Sequence, residues 1–107
     1  MRHDNDVIIT LYCTMTYSFQ LVIKRSAKGY CFTICGAAPV AVRRIEGGSY
    51  AERVGLRSGD RIMRIDGIDV ANSNADQVAR IIKYVYSKWM LILSTVVTVS
   101  LYISRTR

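Results

Sequence analysis

Between Lys28 and Gly36 the chain reads KGYCFTICG. Gly29 marks a place where the backbone turns tightly or approaches another group. Tyr30, Phe32 and Ile34 follow at a spacing of two, which puts them on one face of a strand. Such a face is either core or the floor of a ligand groove. The rest of the reactive inventory is thin. The one histidine is His3, near the start of the chain, so neither a Ser-His-Asp nor a Cys-His arrangement can be assembled. Of the three cysteines, Cys13, Cys31 and Cys35, the last two sit about 13 Å apart along one strand, too far for a disulfide. There is no CxxC pair to start a zinc site. The sequence therefore predicts no enzyme, no metal and no cofactor, with free thiols suited to a reducing, cytoplasmic compartment. What remains is recognition.

Charge narrows what could be recognised. The 107 residues carry fifteen Lys and Arg against eight acids, a net +7. That balance favours phosphates, anionic lipid headgroups or acidic peptide ends. The basic residues are scattered, in pairs such as Lys24-Arg25 and Arg43-Arg44, and do not interleave with aromatics. This argues against nucleic acid. Half of the residues are hydrophobic and 21% are charged, the balance of a single globular domain. Two runs, residues 7–23 and 89–104, contain no charge. Both are short of the ~20 residues that span a bilayer and rich in β-branched side chains, so strands are favoured over membrane helices.

The elements that must position the glycine stretch follow from period and punctuation. Strands are predicted over residues 19–24, 28–36, 39–45, 61–65 and 68–70, the last two joined by the Asp66-Gly67 hairpin signal. Ser49 can cap a short helix over 50–53 that ends at Gly55. Val78, Ile81, Ile82 and Val85 recur at helical spacing, and Asn74 with Gln77 makes a capping box, so a helix is predicted from 74 to about 84. A further strand is predicted over 89–95.

With these elements in order, residues 19–95 resemble a PDZ domain. The matching stretches are GYCF for the carboxylate loop, GGSYAERVGLRSGDRIMRIDGIDV for the middle of the fold, and NSNADQVARIIK for the groove helix. GYCFTICGAAP and VGLRSGDRI look most like the single PDZ domains of regulators of G-protein signalling and of Rho guanine-nucleotide exchange factors. The resemblance implies a mainly β fold with two helices. This would be a partly open, five- to six-stranded barrel or sandwich capped by one short and one longer helix. It implies a scaffold or adaptor that captures the C-terminal carboxylate of a membrane receptor or signalling protein by strand addition. Arg25, Gly29, Tyr30, Cys31 and Phe32 would then hold the carboxylate, with Lys28 the other basic candidate. Tyr30, Phe32, Ile34, Ala75, Ala79 and Ile82 would line the groove for peptide side chains, taking a hydrophobic last residue.

Two departures from the family pattern stand out. Cys31 replaces the second glycine of the loop, adding a Cβ and a thiol beside the carboxylate. Ala75 stands where PDZ domains that select Ser or Thr at the third-last peptide position carry histidine. Alanine offers no hydrogen-bonding group, so that selectivity is not expected. The sequence also leaves open a rival reading, a module that binds anionic lipid at the inner face of the plasma membrane through its basic surface and apolar tail. The expected division is an N-terminal tail over residues 1–18, the domain over 19–95, and a dispensable C-terminal apolar and basic tail over 96–107.

Overall fold

Alternation of apolar and polar residues builds the sheet. In the computed structural model, which describes residues 16–91 and 97–106, the strands are β1 (Thr16–Lys24), β2 (Phe32–Gly36), β3 (Val40–Ile45), β4 (Arg61–Ile65), β5 (Ile68–Asp69) and β6 (Thr98–Thr106). The helices are α1 (Tyr50–Arg53) and α2 (Ala75–Leu91). The strands form one six-stranded antiparallel sheet ordered β1-β6-β4-β3-β2, with β5 paired to β4. Val40 and Val42 of β3, Ile62 and Ile65 of β4, and Val78 and Val85 of α2 meet in the core. This is the expected fold class, one short and one longer helix on a mainly β frame.

Local signals act where their chemistry predicts. Ser49 accepts the Glu52 N–H at the start of α1. Asn74 and Gln77 exchange side chain-to-backbone bonds of 2.9 Å each at the start of α2. Asp66 and Gly67 both take positive φ (49° and 81°), the turn type that suits the twist of a tight hairpin.

The C-terminal boundary differs from the expectation. Residues 98–106 are not a tail: β6 lies between β1 and β4 and pairs with both. Its Val99, Leu101 and Ile103 are fully buried at a spacing of two. Likewise β1 starts at Thr16, inside the expected N-terminal tail, and runs in register with β6 from Thr16↔Thr106 to Lys24↔Thr98. Strand β2 begins at Phe32, not at Lys28, because Gly29 and Cys31 take positive φ and keep residues 28–31 in a loop; and α2 continues to Leu91. Residues 89–91 of the expected 89–95 strand are therefore helical, and 92–95 lie outside the described residues. No Gly or Pro interrupts residues 84–91, and Val85 keeps the apolar stripe in phase with Val78.

An ion pair fixes the end of β6. The Asp60 carboxylate, 1% exposed, accepts two 2.7 Å bonds from the Arg105 guanidinium and a 2.9 Å bond from the Arg57 N–H. Arg105 also donates to the Gly55 carbonyl at 2.7 Å and lies 4.6 Å from the Phe19 ring centre. Hydrogen bonding to Asp60 raises the pKa of Arg105 above its already high ordinary value. With Arg105 gone, a buried carboxylate would lack its counterion, a loss of about 3–5 kcal/mol.

These contacts predict the effect of shortening the chain. Burying Val99, Leu101 and Ile103 contributes roughly 1.5–3 kcal/mol each, a sum comparable to the ~5–15 kcal/mol that holds a whole domain. A chain ending at residue 96 is expected to lose its cooperative thermal transition, read by circular dichroism. Arg105→Ala, which keeps the strand, should lower the melting temperature without abolishing the transition.

Candidate functional site

The connection from β1 to β2 is held by its own backbone. Ser26 and Gly29 exchange N–H···O bonds of 2.9 and 3.0 Å. The Ser26 hydroxyl accepts the Lys28 N–H at 3.1 Å and donates to the Gly29 carbonyl at 3.1 Å. Gly29 has φ +104°, and a Cβ there would meet no heavy atom within 4 Å. The glycine is required by conformation, not by crowding. Arg25 donates its N–H to the Val97 carbonyl at 2.8 Å, which hangs the start of the loop on the stretch leading into β6.

Cys31 is left-handed, with φ +66°. It therefore keeps the backbone conformation that the absent second glycine would favour, at a cost of about 1–2 kcal/mol for an L residue. Its carbonyl accepts the Glu46 N–H at 2.9 Å, and its thiol lies 3.6 Å from both the Ser26 hydroxyl and the Gly29 carbonyl. Among the described residues no acceptor takes the N–H of Tyr30 or of Cys31. Two successive amides are thus available where the loop enters β2. Such a nest suits an anion without burying a countercharge.

Beside the loop runs an apolar groove of about 370 Å³, lined by Tyr30, Phe32, Thr33, Ile34, Ala79 and Ile82. Phe32 and Ile34 face it from β2, and Ala79 and Ile82 from α2. Val78 and Val85 of the same helix turn into the core. The short side chain of Ala79 keeps the helix from filling the space. The width of the groove is set at its far end, where the Ala38 N–H donates to the Ser73 carbonyl at 3.0 Å and Ala37 bridges to Asn74. Ala75, one residue beyond Asn74, is half-buried against the core cluster; the helix side of the groove comes from Ala79 and Ile82.

Two features of the site lie beyond the sequence reading. The Arg25 guanidinium sits 4.1 Å from the centre of the Tyr86 ring, a cation–π contact that holds it at the loop end of α2. Tyr86 follows Ile82 by four residues, so its place on this face was readable once the helix is carried past residue 84. The Tyr30 hydroxyl is buried and has no partner among the described residues. Burial raises the Tyr30 phenol above its ordinary pKa, with Arg25 pulling in the opposite direction.

The family signature of the PDZ domain matches residues 42–85. Regulator of G-protein signaling 12 from Mus musculus is 38% identical over 60 residues, 56% of this chain. Rho guanine nucleotide exchange factor 11 from Homo sapiens is 33% identical over 63 residues, 59% of this chain. The chain spans about 4% of the length of either relative. A solved PDZ domain from choanoflagellate SHANK1, bound to GIRK3 peptide, superposes with a TM-score of 0.73 at 27% identity. That match covers 87% of this chain and 97% of the solved one. The fold and these matches together define a PDZ domain. It is homologous to the PDZ domains of Regulator of G-protein signaling 12 and of Rho guanine nucleotide exchange factors 11 and 12.

The loop predicts opposite effects for two substitutions at one position. Cys31→Gly should stabilise the fold by about 0.5–1 kcal/mol, the left-handed strain less the extra entropy of an unfolded glycine. Cys31→Val should destabilise it by about 1 kcal/mol or more, since β-branched residues resist positive φ. Tyr30→Phe removes an unpaired buried hydroxyl and should raise stability by about 1 kcal/mol. Urea unfolding of the three variants checks all of these.

Proposed function

We propose that this domain captures the C-terminal carboxylate of a partner protein by adding the partner's tail as a strand beside β2. One observation carries the reading: the N–H groups of Tyr30 and Cys31, which have no acceptor among the described residues, lie in the loop that leads into β2, and Tyr30 itself lines the apolar groove. Among the described residues β2 ends the sheet order, which leaves its outer edge for main-chain pairing. A carboxylate entering apolar surroundings must be hydrogen-bonded, and the two amides provide this. Arg25, held by Tyr86, supplies positive charge nearby. The last side chain of the partner would enter the groove between Phe32, Ile34 and Ile82, which favours an aliphatic residue.

Ala79 in the groove, with Ala75 one turn before it, presents no side-chain donor or acceptor. A Ser or Thr at the third-last position would lose water and gain nothing in return. A Val there buries apolar area worth ~25 cal/mol per Å². The partner class we favour is the tail of a membrane receptor or signalling protein, given the signalling relatives, with the domain serving as a cytoplasmic scaffold or adaptor. Cys31 and Cys35 are free thiols, which suits that compartment. The membrane-surface reading loses its apolar tail, because that run is β6 inside the sheet, and among the described residues no helix is long and apolar enough to cross a membrane.

Calorimetric titration with a peptide ending in a free carboxylate, and with its amide, tests the reading. Charge-assisted bonds are worth roughly 1.5–3 kcal/mol each, so amidation should weaken binding about tenfold or more. Equal affinity for both forms would remove the carboxylate-loop reading. A Val-for-Thr exchange at the third-last position should tighten binding several-fold.

A further inference from the structure

The pairing of β2 with β3 contains an irregularity that the peptide groove does not explain. Register shifts between Thr33 and Ile34: Thr33 faces Arg44, whereas Ile34 faces Val42, leaving Arg43 without a register partner. Burial follows the bulge. Val40 and Val42 are buried, Arg43 and Arg44 are both exposed, and Ile45 again packs on the core. Without the extra residue, alternation would send Arg44 inward beside Val42. The bulge instead turns two successive arginines onto the outer face of the sheet.

On that face lies a second hollow of about 460 Å³, bounded by Lys28, Thr33, Arg44 and Glu46. It shares Tyr30, Phe32 and Thr33 with the groove, so the two spaces adjoin along β2, one reaching α2 through Ala79 and Ile82 and the other reaching β3 through Arg44. Lys28 and Arg44 outnumber the single acid, Glu46. Neither cation is in an ion pair among the described residues, where the pair formed is Arg105 with Asp60.

We infer that this face selects partner tails with an acidic residue at the penultimate position. The inference rests on the proposed strand addition and deepens it. Side chains of an added strand alternate between its two faces. If the last and third-last side chains enter the groove, the penultimate one projects over Thr33 toward Arg44 and Lys28. An Asp or Glu there meets uncommitted positive charge, and a Lys meets repulsion. The site is open to solvent, so the gain is that of an exposed ion pair, roughly two- to fivefold in affinity, and it shrinks as salt screens it.

Three octapeptides with free carboxylates, identical except for ends of Val-Asp-Val, Val-Ala-Val and Val-Lys-Val, test this by fluorescence polarisation against wild type and Arg44→Glu. Wild type should bind Asp more tightly than Ala and Ala more tightly than Lys, with about a tenfold span from Asp to Lys at low salt, twice the exposed-pair effect on a logarithmic scale. Arg44→Glu should narrow or reverse the order while still binding the Ala peptide. Equal affinity of wild type for all three peptides would overturn the penultimate selectivity and leave the carboxylate reading standing. Failure of all three to bind would overturn the carboxylate reading and this inference with it.

Discussion

Strand β6 is the constraint on which the rest of the domain depends. It pairs with β1 on one side and β4 on the other, and among the described residues β1 has no other partner strand in the sheet. Whatever holds β6 therefore holds β1, and β1 delivers the chain to the loop at Arg25. The connection is direct, because the Arg25 N–H bonds to the Val97 carbonyl immediately before β6 begins. Asp60 locks the far end of the strand through Arg105, and Asp66 locks its middle by accepting the Ser100 N–H at 2.7 Å. A small loop can present strained backbone only when its flanks are this firmly fixed.

That firmness explains how Cys31 keeps a left-handed conformation with a side chain attached. The strained residue lies between a turn closed on itself at Ser26 and Gly29 and a carbonyl bonded to Glu46. Across the groove, α2 is fixed by its capping box and by the Ser73 contact to the β2–β3 connection. The space between them stays open because the facing helix position is Ala79. A pre-formed groove lowers the ordering cost of binding, so more of the contact energy appears as affinity.

Much of this was legible in the sequence because the signals are local. Gly29, the Asp66-Gly67 pair, the Ser49 cap and the Asn74-Gln77 box each act within a few residues, and the structure places the elements accordingly. The chain from 84 to 104 was harder to read, since it contains no Gly or Pro and its β-branched residues fit more than one period. Whether such a run is a helix, a strand or a tail depends on partners distant in sequence, here β1 and β4. The same is true of the Arg25–Tyr86 contact, which needs α2 to extend beyond residue 84. The bulge at Arg43 and Arg44 left no signal either: two adjacent arginines look alike whether both face solvent or only one does.

The central claim is that the loop amides of Tyr30 and Cys31 receive a carboxylate. Amide chemical shifts of uniformly ¹⁵N-labelled protein, followed during titration with a carboxylate-terminated peptide, examine those two groups directly. The account predicts large downfield proton shifts at Tyr30 and Cys31, marking new hydrogen bonds to an anion, accompanied by smaller changes along β2 and at Ala79 and Ile82. Unmoved loop amides, with the shifts gathered instead along β1 or at α1, would contradict it.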